Sequence, residues 1–170
     1  AEIYQRMEDY DKASSAWLSI VEDYPEDEDI VELLFNLGFS YAQSGKYSLA
    51  YDVDKRIHAL SVDENQLGRA HYWAGICLKN MKQHAEAVRE FLRVPYLRTG
   101  GMWGVTSKLE AAGCYVILGN YEEATRIYES IISSHGIDSD WGRIANKSLE
   151  KIRERETQQQ SEKNEEKDTD

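Results

Sequence analysis

Four stretches of this chain line up at one fixed spacing, and that spacing constrains the fold more than any other feature. YDKASSAWLSI begins at Tyr10, YSLAYDVDKRI at Tyr47, HAEAVREFLRV at His84 and YEEATRIYESI at Tyr121, each 37 residues after the one before. The fourth residue is always Ala: Ala13, Ala50, Ala87 and Ala124. The eighth is Trp17, Asp54, Phe91 or Tyr128, and the eleventh is Ile20, Ile57, Val94 or Ile131. Offsets of four and seven from the Ala put these side chains on one face of a helix. A period of this size signals a stack of supersecondary units, none of which can bury its apolar face alone.

A second helical pattern precedes each stretch: VELLFNLGFSYAQSG, RAHYWAGICLKNM and VTSKLEAAGCYVILG. Each carries a small residue at one register position, Gly38, Gly75 or Ala112, followed three residues later by Tyr41, Leu78 or Tyr115. The small residue lets two helices approach closely, and the large one fills the space beside it. Gly45 and Gly119 end two of these helices, the role of glycine at a helix C-cap. The unit is therefore a helix, a short turn and an antiparallel helix.

The pattern small–x2–Tyr–x3–Gly–x–Tyr–x2–Ala–x3–aromatic–x2–Ile resembles the tetratricopeptide repeat. In the second unit it is carried by Leu37, Gly38, Tyr41, Gly45, Tyr47, Ala50 and Ile57, with Pro25 at the inter-repeat proline position. The likeness covers Ala1 to about Ile131. Three departures stand out: a period of 37 residues, longer than the family's usual one, Asp54 in place of an aromatic, and Lys82 in place of the turn glycine. Asp54 leads us to expect a locally looser second unit. A narrower likeness to bacterial envelope members rests on YWAGICLKNMKQHAEAVREFLRV and DSDWGRIANKSLEKI. It favours a periplasmic or cell-envelope location over a cytoplasmic one.

The resemblance implies an all-α, right-handed α-solenoid over residues 1–136. Its units would be a partial one at 1–26, then 27–63, 64–100 and 101–136, followed by a capping helix at 137–156. In register, Ala1 falls in the middle of a first helix, so the chain reads as a fragment with more repeats or another domain before it. The capping helix starts after Asp138 or Ser139 and turns Trp141, Ile144, Leu149 and Ile152 inward. Residues 157–170 hold five acids, two bases and no large apolar side chain. They read as an acidic tail, disordered or a frayed extension of the helix.

Charge narrows the function. The formal net charge is −11, of which the tail contributes −3. An acidic chain lacks the basic stripe that nucleic-acid binding needs, and it is repelled by an anionic membrane surface. No apolar run is long enough to cross a bilayer. Six acids gather around Pro25 (Glu22, Asp23, Glu26, Asp27, Glu28, Asp29). Their position before a helix start favours the positive end of the helix dipole, with contact to a basic partner as the alternative.

No motif for catalysis, a metal or a cofactor emerges. Cys77 and Cys114 occupy one register position, where Ser40 stands a unit earlier, and read as small apolar residues. His58, His71, His84 and His135 have no ligand spacing. Gly100 and Gly101 lack the setting of a phosphate loop. The expectation is a non-enzymatic scaffold without cofactor or metal.

In tetratricopeptide arrays the first helix of each unit lines an inner groove. By position, the lining here is Phe35, Asn36, Phe39 and Gln43, then Arg69, Tyr72, Trp73, Ile76 and Asn80, then Leu109, Glu110, Val116 and Ile117. The Lys/Asn carboxylate clamp of one chaperone-binding subclass is missing, because Phe35 and Phe39 stand at its positions in the second unit. The groove is expected to hold an apolar or basic polypeptide segment, with Trp73 and Tyr72 as exposed anchors. About half of its rings are expected to pack on the neighbouring repeat instead. The loop Pro95–Val105, with Tyr96, Met102 and Trp103, is a third candidate surface. The alternatives are a structural segment of a larger assembly, stacked on upstream repeats or another subunit, and the adaptor region of an enzyme lying outside this stretch.

Overall fold

The computed structural model describes residues 1–60, 62–94 and 102–167. Among these the chain forms α1 (Glu2–Arg6), α2 (Tyr10–Asp23), α3 (Ile30–Gln43), α4 (Tyr47–His58), α5 (Glu64–Asn80), α6 (His84–Arg93), α7 (Met102–Ile117), α8 (Tyr121–His135) and α9 (Asp140–Lys167). No described residue is in a strand. Each helix packs on the next in the chain, and α5 also meets α7, as α7 meets α9. The result is an α-solenoid of helix pairs, with three apolar clusters along its length in place of one central core.

The 37-residue phase is written into the backbone. Glu8, Gly45, Lys82 and Gly119 all have positive φ, from +58° to +78°. The amides of Asp9, Lys46, Gln83 and Asn120 then donate to the carbonyls of Tyr4, Tyr41, Leu78 and Tyr115 at 2.8–2.9 Å. A left-handed residue followed by this long reach back is the Schellman ending of a helix. Lys82 therefore adopts the glycine conformation without being glycine, at a cost of about 1–2 kcal/mol.

Most of the repeated apolar positions are buried as their spacing requires, although Ile20 is only half-buried. Ala13, Ala50, Ala87 and Ala124 are inaccessible or nearly so, as are Trp17, Asp54, Phe91 and Tyr128. In the third unit the helices touch tightly: a Cβ added at Gly75 would lie 2.5 Å from Phe91 Cε1. In the second unit Asp54 replaces the ring, and a Cβ at Gly38 would sit at an ordinary 3.5 Å from Val53 Cγ1. Even so, the position stays closed, with Asp54 only 3% exposed.

Helix starts use local chemistry. Asp63 and Gln66 form a reciprocal capping box at α5. The Ser139 hydroxyl accepts from the Gly142 amide at 2.9 Å, which starts α9. Of the four residues expected on the inner side of α9, Leu149 and Ile152 are buried and Trp141 is half-buried. Ile144 is not inward: it is 49% exposed, and Ala145 takes the buried place beside it. The backbone of α9 also runs helical to Lys167, past the expected end at 156. The exposed residues Arg153 to Gln159 continue it.

The contrast between the two glycines is testable by substitution. Gly75→Ala drives a methyl into the Phe91 ring and should lower unfolding free energy by about 1–3 kcal/mol. Gly38→Ala has room and gains helix propensity, so it should be neutral or stabilising by up to about 1 kcal/mol. Urea denaturation of the two variants side by side measures the difference.

Candidate functional site

The first helices of successive units, α3, α5 and α7, form one continuous row of contacts. Phe39 on α3 meets Trp73 on α5 edge to face at 5.9 Å, and Tyr10 on α2 meets Phe39 from the other side at 6.1 Å. Tyr72 packs against Trp73 at 5.6 Å and Trp103 at 5.0 Å, carrying the row to α7. Such tilted pairs contribute about 0.5–1.5 kcal/mol beyond the area they bury. Polar links lie alongside. Arg69 donates to both oxygens of Glu32 at 3.0 Å, and Lys79 to Glu110 at 2.6 Å.

The expected lining residues divide into three groups. Phe39, Tyr72, Trp73, Ile76, Leu109 and Val116 are half-buried, each keeping part of its apolar surface outward. Gln43 and Asn80 are exposed, and Ile117 is 58% exposed at the end of α7. Phe35 departs from expectation. It is only 4% exposed, because the Arg69 guanidinium lies 3.9 Å over its ring and shields it. Asn36, half-buried, donates to the Glu32 carbonyl of its own helix at 3.0 Å. Its own carbonyl accepts from Gln5 at 3.3 Å.

Trp73 and Tyr72 are therefore braced rings rather than freely exposed anchors. Burial, then the Glu110 charge, pushes the Tyr72 hydroxyl above its ordinary value. Trp103, expected in a loop, belongs to the first turn of α7, tucked on Tyr72. The rest of that candidate surface, Pro95 to Gly101 and the Met102 side chain, lies outside the described residues. The acids Glu22 to Asp29 are all exposed and immediately precede α3.

A buried polar cluster between α4, α5 and α6 escaped the sequence reading. His71 Nδ1 lies 2.7 Å from Glu90, whose carboxylate also takes Arg93 at 3.2 Å. The His58 and His71 rings stack at 4.3 Å. Asp54 lies next to this group, with the Cys77 thiol 4.0 Å from its Oδ2. Burial, reinforced by Glu90, holds the Asp54 carboxyl well above the ordinary carboxylate range. Burial favours the neutral form of Glu90 as well, but the His71 bond and the Arg93 charge bring it below its ordinary value. Burial, then His71, depresses His58. The one available signal was Asp54 itself, an acid at an apolar register position.

The two cysteines are buried and free. Burial and Asp54 raise the Cys77 thiol to about 12. Burial is also the main cause that puts Cys114 at about 11. At neutral pH both are protonated, so neither is a nucleophile or a ready metal ligand. Among the described residues, no group of three His, Cys, Asp or Glu could hold a metal ion. No described helix is long and apolar enough to cross a membrane.

No protein-family model matches the sequence, and no curated protein matches it at a significant level. Solved structures do match in shape. MamA superposes with a TM-score of 0.66 at 20% identity, covering 93% of this chain and 95% of that one. PcrH in complex with the chaperone binding region of PopD superposes with a TM-score of 0.63 at 20% identity, covering 76% and 96%. PcrH with the corresponding region of PopB gives 0.59 at 19% identity, covering 71% and 94%. The PcrH chain is from Pseudomonas aeruginosa. At this identity the likeness shows the fold: a tetratricopeptide-type helical repeat. The narrower likeness to bacterial envelope proteins gains nothing from these superpositions.

Asp54 sets a pH dependence whose sign follows from its raised carboxyl. Above its ordinary value of 3.8 the unfolded chain ionises Asp54 while the folded chain keeps it protonated. Stability is therefore lost as pH rises toward the folded value. Asp54→Asn has no such proton to lose. Its advantage over the parent should grow from pH 4 upward in urea midpoints taken across pH, and a constant difference would contradict the assignment.

Proposed function

We propose that this chain is a non-catalytic binding module that holds a segment of another polypeptide along the face built by α3, α5 and α7. The observation that carries this reading is the row Tyr10–Phe39–Trp73–Tyr72–Trp103, whose rings brace one another. Four of these five positions, all but Tyr10, also lie on the first helices of units. Rings fixed by their neighbours lose little side-chain entropy when a partner covers them, so most of the burial free energy goes into affinity. The arrangement suits an apolar strip on a helix or extended segment.

The superpositions support the same reading. PcrH has been crystallised with the chaperone binding regions of PopD and PopB, so this fold can hold segments of other proteins. The net charge of −11 disfavours strongly acidic partners at long range. The groove positions Phe39, Trp73 and Ile76 would form its centre, with the Glu32–Arg69 and Lys79–Glu110 pairs as a polar rim. Residues 1–136 would make up the array and 137–156 its cap.

A peptide array displaying apolar segments of varied charge should reveal a selected subset bound by the parent protein. Trp73→Ala, at an interface centre where one aromatic is worth about 2 kcal/mol, should weaken that subset tenfold or more. Circular dichroism on the variant checks that helicity is kept. Unchanged capture by a helical Trp73→Ala protein would reject this face as the binding surface.

A further inference from the structure

The last stretch of this face carries a pocket. The register position held by Phe39 in the second unit and Ile76 in the third is Gly113 in the fourth. Both earlier side chains are half-buried. At Gly113 an added Cβ would meet nothing within 4 Å. Glycine in a helix interior costs about 1 kcal/mol relative to Ala, and no close helix contact requires it here, unlike Gly75. The missing side chain opens a cleft of about 310 Å³ between α7, α8 and α9.

The walls of the cleft are apolar and its rim is basic. Val116, Tyr128 and Ile152 line it, with Tyr128 and Ile152 otherwise buried. Lys151 and Arg155, one turn apart on α9, stand at its edge. Arg155 donates to the Tyr121 hydroxyl at 2.9 Å and lies 5.9 Å from the centre of that ring, which fixes it over the opening. Among the described residues Lys151 forms no ion pair. Glu110 is held by Lys79 at 2.6 Å, and Glu150 accepts from Asn146 at 2.9 Å.

We propose that this cleft is an anchor pocket for one large apolar side chain of a bound polypeptide, flanked in that polypeptide by carboxylates that meet Lys151 and Arg155. The inference rests on the reading of α3, α5 and α7 as the binding face and names the chemistry at its far end. A volume near the lower limit of ligand pockets suits a single Leu, Phe or Trp side chain. Two cations on an exposed rim attract acid locally even though the chain as a whole is acidic, because screening confines each charge to about 10 Å. The bound segment is thus apolar along its length and acidic where it reaches α9, so its direction along the groove is specified.

The test uses fluorescein-labelled peptides with a central Leu-Phe pair flanked by Glu, by Gln or by Lys, with anisotropy read on the full chain at low and high salt. The parent should bind the Glu-flanked peptide best and lose that preference in high salt. Gly113→Leu reaches into the cleft from a position where a Cβ has room, so it should keep its melting temperature and lose roughly tenfold in affinity. Lys151→Glu, which breaks no internal bond, should weaken the Glu-flanked peptide by about fivefold and improve the Lys-flanked one. Equal binding of all three peptides, or an unchanged affinity in Gly113→Leu, would overturn the pocket. Trp73→Ala separates the two readings. If it fails on apolar segments that avoid the cleft while Gly113→Leu does not, the face stands and the pocket falls. If only Gly113→Leu and Lys151→Glu lose the Glu-flanked peptide, the pocket stands without the face.

Discussion

Everything in this molecule depends on how closely the two helices of a unit can approach. At Gly75 that approach is complete: the Phe91 ring fills the space a β-carbon would need. The same pair of positions recurs as Gly38 with Asp54 and Ala112 with Tyr128. The left-handed turn at Glu8, Gly45, Lys82 and Gly119 sets the hairpin that brings each pair together. A small residue, a tight turn and a buried partner, repeated at one interval, leave each unit with an apolar side that only the next unit can cover. Stacking follows, and the first helices of the units become neighbours.

That stacking has a weak point with its own chemistry. Where the ring is replaced by Asp54, the unit closes around a carboxyl that burial pushes well above the ordinary carboxylate range, next to a His71–Glu90–Arg93 group and the His58 ring. The second and third units are joined here through polar atoms and the stacked rings of His58 and His71. Buried polar groups of this kind are sensitive to pH in a way that the Phe91 and Tyr128 positions are not.

The proposed binding face owes its character to the same neighbour relation. Rings at Phe39, Trp73 and Tyr72 meet because α3, α5 and α7 are brought side by side, and Arg69 can cover Phe35 for the same reason. At the far end the pattern is broken by Gly113, and α9 supplies Lys151 and Arg155 to the gap. A stack with a braced aromatic middle and a basic-rimmed cleft at one end presents different chemistry along its length. That polarity is what a scaffold needs to hold a partner in one direction.

Fold class, unit length and turn positions were legible in the sequence, since they depend only on spacing: helical offsets of four and seven, a period of 37 residues, and glycine where φ must be positive. The lining of the face was legible as a set of register positions, but not as a set of exposures. Phe35 and Phe39 look alike in register; only tertiary contact put Arg69 over one and left the other half open. The clustering of Asp54, His58, His71 and Glu90 was invisible for the same reason, because these residues come from three helices with no shared spacing. So was the cleft at Gly113, whose rim arrives from α9. Periodicity is a property of one helix at a time, so the sequence by itself determined which faces turn inward within each unit. Which side chains meet across units is decided by how those units settle against each other, and only the assembled stack contains that information.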